Sequence, residues 1–281
     1  MKNRQLTQQQ IRAYAHHLQM EEKSGATMEK YLRDIRAFAY WLDGRDISKE
    51  LTSEWKSHLV SQDYAPTTVN AMLSALNSLL EFLNLRECRV KFLKIQRRLF
   101  RDADRELTKD DYQRLLNTAH KLGRERLELL VETIGATGIR VSEVAYITVE
   151  SVQQGKAEIT LKGKIRTILI PSKLCRKLLK YAKQQKTASG EIFLTRNGTP
   201  LSRRQIWAEM KGLCKTAGVA ASKVFPHNLR HLFAAAFYRA SRDIVKLADV
   251  LGHSSLETTR IYLLTSGAEH QRQLDRLGLV S

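Results

Sequence analysis

Apolar residues fall at helical spacing throughout the first hundred positions, which therefore read as helices only. Ile11, Ala15 and Leu18 form one stripe, Tyr31, Ile35, Phe38 and Leu42 a second, and Val69, Met72, Leu76, Leu79 and Leu83 a third. Breaks at Ser24-Gly25, Asp43-Gly44 and Ala65-Pro66 separate them, with a shorter helix over Leu51 to Val60 between the last two. One apolar face per helix and short connections predict a four-helix bundle over residues 1–85. Lys23, Lys30, Arg33 and Arg36 decorate the second helix and its approach, as either a solvated face or a DNA contact would.

The pattern changes between Leu85 and Arg105. Arg86, Arg89, Lys91, Lys94, Arg97, Arg98, Arg101 and Arg105 face only Glu87, Asp102 and Asp104, a composition suited to crossing a phosphate backbone. Residues 86–105 are accordingly expected to link two domains, with Val90, Phe92, Leu93 and Ile95 packing part of the segment. A chain of 281 residues is long for one domain. Its 47 Lys plus Arg against 29 Asp plus Glu leave +18, a self-repelling surplus that points to a polyanionic partner, nucleic acid ahead of an anionic membrane. No apolar run approaches the length of a membrane span and the polar start lacks a signal-peptide core, so a cytoplasmic protein is expected. Cys88, Cys175 and Cys214 are odd in number and far apart, as suits reduced thiols in apolar niches.

Residues 106–281 read as a second, mostly helical domain with a small antiparallel sheet. Thr108-Lys109-Asp110-Asp111 resembles a capping box. A helix with Leu127, Leu130, Val131 and Ile134 on one face runs into Gly135-Ala136-Thr137-Gly138, and Arg140 follows. Ala157 to Leu161 and Ile165 to Ile170 flank Lys162-Gly163-Lys164, the pattern of a β-hairpin with a lysine tip. Helices are expected over about Ser172 to Gln185 and Ser202 to Ala217, and again after Phe225-Pro226.

Several residues here suit phosphoryl chemistry. A phosphodiester attacked by a hydroxyl gains negative charge on its non-bridging oxygens, which guanidinium forks match in geometry and imidazoles can meet as donors or proton carriers. Tyrosine, with a reference pKa of ~10, needs a cationic site or a base to act as nucleophile near neutrality. Arg140, His227, Arg230, His253 and Tyr262 supply such a set, and a hairpin lysine could protonate a departing 5′-oxygen. His227 and His231 also stand at the i, i+4 spacing of a zinc helix. Asn228, Leu229 and Arg230 lie between them where a metalloprotease has glutamate, so neither a metal nor a cofactor is expected.

The motifs resemble those of the tyrosine recombinase, or phage integrase, family. Ala136 to Glu143 is similar to the first arginine box, His227-Asn228-Leu229-Arg230-His231 to the H-x-x-R box with its following histidine, and Leu251-Gly252-His253-Ser254 to the L-G-H-S/T box. Tyr262 stands nine residues after His253, the family's interval to its nucleophile. The resemblance implies a core-DNA-binding bundle followed by a catalytic domain. It further implies attack by Tyr262 to give a 3′-phosphotyrosyl link, a phosphate clamp of Arg140 and Arg230, proton exchange by His227, and a hydrogen bond from His253 to a non-bridging oxygen. His231 reads as support behind these groups. The hairpin departs from the family's G-K-G-x-K-x-R by lacking the leading glycine and one turn residue. Lys162 aligns best with the general acid, and Lys164 is the other candidate.

The expected function is site-specific recombination of double-stranded DNA by a homo-tetramer, integrating or excising a mobile element. Accessory DNA-bending or directionality proteins are compatible with that role. Xer-type chromosome-dimer resolution and DNA inversion are the alternatives within the family; a topoisomerase-IB-like enzyme and a non-catalytic DNA-binding protein are those outside it. The chain begins almost directly at the bundle, so the extra N-terminal arm-binding domain of the larger phage integrases is not expected. The tail from Ala268 to Ser281, with Leu274 and Leu277, suits packing either on its own domain or on a neighbouring protomer.

Overall fold

The computed structural model describes residues 4–95, 103–161, 164–262, 271 and 275–277. Lys162, the middle of the basic segment and most of the tail lie outside these. The chain forms two compact units, Met1–Arg97 and Arg98–Ser281.

The first unit is the expected helical bundle: α1 (Gln8–Met20), α2 (Gly25–Leu42), α3 (Lys49–Ser61) and α4 (Pro66–Phe82). Thr7 and Ser48 cap α1 and α3 through their hydroxyls, and Pro66 opens α4 where no amide donor is needed. Phe38, Leu42, Trp55, Leu73, Leu76 and Leu80 form one core cluster, and Tyr14, Leu18, Ile35 and Leu79 another. The α1 stripe is turned slightly from the expected one: Tyr14 is fully buried and Ala15 half-buried, because the larger ring covers more apolar surface. The start of the basic segment folds onto this unit. Asn77 exchanges two hydrogen bonds with the backbone of Val90, and Asn70 two with Leu93.

In the second unit, α5 (Lys109–Lys121) starts at the expected capping box, where Thr108 Oγ1 accepts from the Asp111 amide and the Asp111 carboxylate from the Thr108 amide. Helix α6 (Glu125–Thr137) buries Leu127, Leu130, Val131 and Ile134 and stops at Gly138. A six-residue 3-10 helix (Val141–Tyr146) and α7 (Val149–Gln153) lead into the antiparallel pair β1 (Lys156–Leu161) and β2 (Lys164–Leu169), in which Ile159 faces Arg166 and Thr160 faces Ile165. Then come α8 (Ser172–Gln184), α9 (Arg203–Lys211), α10 (Cys214–Ala217), α11 (Pro226–Ser241), α12 (Ile244–Leu251) and α13 (Leu256–Arg260).

The single helix expected over Ser202 to Ala217 is in fact two. At Gly212 the chain tightens, the Leu213 amide donating to Met210 O three residues back, and α10 starts afresh. The main core joins α5 to α10 and the sheet through Leu130, Ile134, Ile159, Ile168, Leu178, Phe193 and Met210, while α11 lies against α6. A smaller cluster of Ala234, Leu247, Leu251 and Tyr262 joins the last three helices. Among the described residues, no helix is long and apolar enough to cross a membrane.

Candidate active site

Pro226 fixes the first turn of α11, so His227, Arg230 and His231 share one helical face at i, i+3 and i+4. Arg230 is buried. Its Nη1 donates to the carbonyl of Gly138 at the end of α6, and its Nη2 to the carbonyl of Leu251 at the end of α12. Each acceptor is a helix-terminal carbonyl with no partner inside its own helix, so one side chain satisfies both ends while pinning three helices together. Both ends turn on a left-handed glycine, Gly138 and Gly252, with φ of 63° in each case. A Cβ on Gly138 would come within 2.3 Å of the Phe233 ring, and one on Gly252 within 2.2 Å of Arg166 Cδ.

Past Gly252 the chain presents His253, then Ser255 caps α13, and Tyr262 follows its last turn. The remaining donors of Arg230 meet these residues: Nη2 lies 3.0 Å from His253 Nε2, and Nε donates to the Tyr262 hydroxyl at 3.4 Å. His253 Nδ1 lies 2.9 Å from the hydroxyl of Thr259, which is itself fully buried. Tyr262 is 3% exposed. Its ring centre is 4.3 Å from that of His231, 5.6 Å from that of His253 and 6.1 Å from that of His227.

Arg140 leaves α6 just beyond Gly138. Its backbone amide and Nη1 both donate to Glu143, at 2.9 and 2.8 Å. The Glu143 carboxylate, 2% exposed, also accepts from Nη1 of Arg166 at 3.1 Å. Thus Arg140, Arg166 and Arg230 gather with one carboxylate among them, and the histidines respond. Burial and then the charges of Arg230 and Arg140 push His227 below the usual imidazole value; the same causes, with Arg166 and His227 added, bring His253 down to about 4. Both rings are therefore neutral near pH 7. Arg166 is depressed to about 10, chiefly by burial, and remains a cation.

Of the six residues singled out by sequence, five come together: Arg140, His227, Arg230, His253 and Tyr262. Lys162 falls outside the described residues; Lys164, the other candidate, occupies the first position of β2. Glu143, Arg166 and Thr259 belong to the same constellation although the sequence reading gave them no role. Glu143 stood in the first arginine box and Arg166 in the hairpin motif; Thr259 carried no signal beyond its place between His253 and Tyr262. Among the described residues, no group of three or more His, Cys, Asp or Glu side chains could hold a metal ion.

Residues 105–268 match the family model described as phage integrase family, and residues 11–87 that of the phage integrase N-terminal SAM-like domain. The chain belongs to the phage integrase family. This integrase is 28% identical to tyrosine recombinase XerA of Pyrococcus furiosus over all of its own length and 98% of the relative's. It is equally 28% identical to tyrosine recombinase XerD of Halalkalibacterium halodurans, covering 88% of this chain and 90% of that one. Its fold is similar to that of a lambda integrase dimer bound to a core site, with a TM-score of 0.72, 17% identity, and 92% and 95% of the two chains covered. It is also similar to a XerH site-specific recombinase bound to difH substrate, with a TM-score of 0.69, 18% identity, and 95% and 84% covered. The mainly helical fold with its two-stranded sheet is thus the integrase fold, and the integrase's reaction class is the site-specific cleavage and rejoining of DNA strands.

Proposed function

We propose that Tyr262 is the nucleophile of this recombinase and that double-stranded DNA is its substrate. The observation carrying this reading is the reach of Arg230, whose side chain, fixed on two helix ends, touches both the Tyr262 hydroxyl and His253. A scissile phosphate drawn to Arg230 and Arg140 comes against the phenol oxygen. His227, neutral because of its burial and its arginine neighbours, accepts the phenolic proton as Tyr262 Oη bonds to phosphorus. The bond from phosphorus to O5′ breaks, and the departing oxygen takes a proton from a hairpin lysine, Lys162 in the best alignment. His253 donates to a non-bridging oxygen. The phosphotyrosyl ester conserves the bond energy, so attack by a partner strand's 5′-hydroxyl reverses the step without ATP.

In this reading residues 1–85 hold the DNA as a core-binding domain, 86–105 join the domains, and 106–281 carry the chemistry in a homo-tetramer that pairs two duplexes. The solved relatives named above as bound to a core site and to difH support DNA as the partner. For the biological role, the mobile-element reading competes with Xer-type resolution, which the Xer names of the full-length relatives favour.

The test traps the protein with SDS on a pool of nicked genomic duplexes and sequences the DNA that stays attached. Wild-type protein forms the adduct on a recurring sequence, whereas Tyr262→Phe binds DNA and forms none. An adduct that persists in the Phe variant assigns the nucleophile elsewhere. A chromosomal dimer-resolution site among the recovered sequences favours the Xer role, and element ends favour integration.

A further inference from the structure

Arg166 is a cation on the wrong face of its strand. Along β2, Ile168 faces the core and Arg166 shares that face, whereas Ile165 and Leu169 are about three-quarters exposed, 75% and 74%. An apolar residue would fit this interior position at less desolvation cost. Arg166 has one ionic partner, Glu143, and its Nε and Nη2 are buried without an acceptor among the described residues. Stability alone does not account for such a group, because buried ion pairs are often replaced by apolar side chains without loss.

Its place in the site gives the account. The Glu143 carboxylate orients Arg140 through two hydrogen bonds, yet a full negative charge 2.8 Å from a phosphate-binding guanidinium opposes the phosphate that guanidinium must hold. Arg166 supplies the offsetting charge, its Nη1 donating to the same Glu143 oxygen that accepts from the Arg140 backbone amide, and its aliphatic stem fills the space left open at Gly252, ahead of His253.

Resting on the site reading above, we propose that Arg166 is a positioning residue for the phosphate clamp: it neutralises Glu143, so that this carboxylate orients Arg140 without repelling the scissile phosphate. Arg166 touches neither DNA nor the reacting atoms. Its effect is electrostatic and tied to the charge of the phosphate. A second tether, from the Tyr146 hydroxyl to Thr160 O at 3.0 Å, holds β1 to the 3-10 helix that bears Glu143, so the hairpin stays attached when Arg166 is changed.

The experiment compares Arg166→Met and Arg166→Lys with wild-type protein on the duplex recovered with the wild type. Three scissile groups are used: the natural phosphate, a neutral methylphosphonate and a 5′-bridging phosphorothiolate. Arg166→Met is expected to melt within about 5 °C of wild type and to cleave the phosphate on the order of 10²-fold more slowly. On the methylphosphonate, which has no anionic oxygen to be repelled, its deficit should shrink to within about fivefold. The phosphorothiolate, whose sulfur leaves without a proton, should show the same deficit as the phosphate. Arg166→Lys, which keeps the charge, should restore most of the rate. Equal deficits on phosphate and methylphosphonate, selective rescue by the bridging sulfur, or a Lys variant as slow as Met would each overturn the proposal. Loss of the wild-type adduct in Tyr262→Phe, run beside these variants, secures the underlying reading separately.

Discussion

Arg230 Nη2 faces His253 Nε2 at 3.0 Å, so the imidazole accepts there from the guanidinium, at the nitrogen from which the proposed phosphate contact has it donate. The Thr259 hydroxyl on the other side, 2.9 Å from Nδ1, can accept from or donate to that nitrogen. In the proposed reaction a phosphate takes up the Arg230 donors, the ring proton moves to Nε2 and Thr259 turns to donate. Thr259→Val should therefore leave folding close to wild type and slow cleavage on the order of tenfold. An unchanged rate would show that His253 needs no partner behind it.

Burial of His253, with Arg230 beside it, predicts how stability follows pH. His253, at about 4 in the fold against ~6.5 in the unfolded chain, binds fewer protons when folded across that interval. Stability is thus fully present above the unfolded value and declines as pH falls toward 4, with His227 acting in the same direction. Melting temperatures measured between pH 7 and 4 should fall, and His253→Gln should flatten part of the decline. An NMR titration placing the free protein's His253 near the ordinary imidazole value would contradict this.

Arg230→Ala should affect fold and chemistry together. It frees the buried carbonyls of Gly138 and Leu251, each worth about 1–3 kcal/mol when left unsatisfied, and removes a clamp donor, worth on the order of 10²–10³ in cleavage rate. Chemical denaturation and single-turnover cleavage measure the two effects separately. Near-normal cleavage by a folded Ala variant would take Arg230 out of the clamp.

Gly252→Ala places a methyl group 2.2 Å from Arg166 Cδ in a left-handed turn, a backbone conformation that costs an L-residue roughly 1–2 kcal/mol before any clash. A lower melting temperature is expected. Combining it with Arg166→Ala should recover the clash but not the backbone term, so the double variant should be more stable than additivity predicts. Strict additivity would mean that the two positions do not touch.

The general acid is tested by leaving-group chemistry. Lys162→Ala should be slow on an oxygen-bridged phosphate and near wild type on the 5′-bridging phosphorothiolate, whereas Lys164→Ala should show no such selective rescue. The reverse pattern would assign the proton to Lys164.

What the sequence disclosed follows from how each feature is encoded. The bundle was legible because α1 to α4 each bury one face, and the hairpin because turn residues interrupt two runs of strand character. Arg140, His227, Arg230, His253 and Tyr262 were legible through motif and spacing. The groups behind them were not. Glu143 looks like an ordinary acidic residue near a helix start, and Thr259 like one of two adjacent threonines. Arg166 stood in the hairpin motif without a role, and only strand register turns it inward. The break at Gly212 was invisible because that glycine keeps a right-handed helical conformation and the interruption lies only in its hydrogen bonds.

Tyr262 is 3% exposed, with imidazole rings beside it and an arginine at its oxygen. The phenol is packed away from solvent. On the proposed reading, a phosphate reaches this hydroxyl past the Arg230 and histidine side chains that crowd it, so the group proposed to cut is sheathed between encounters.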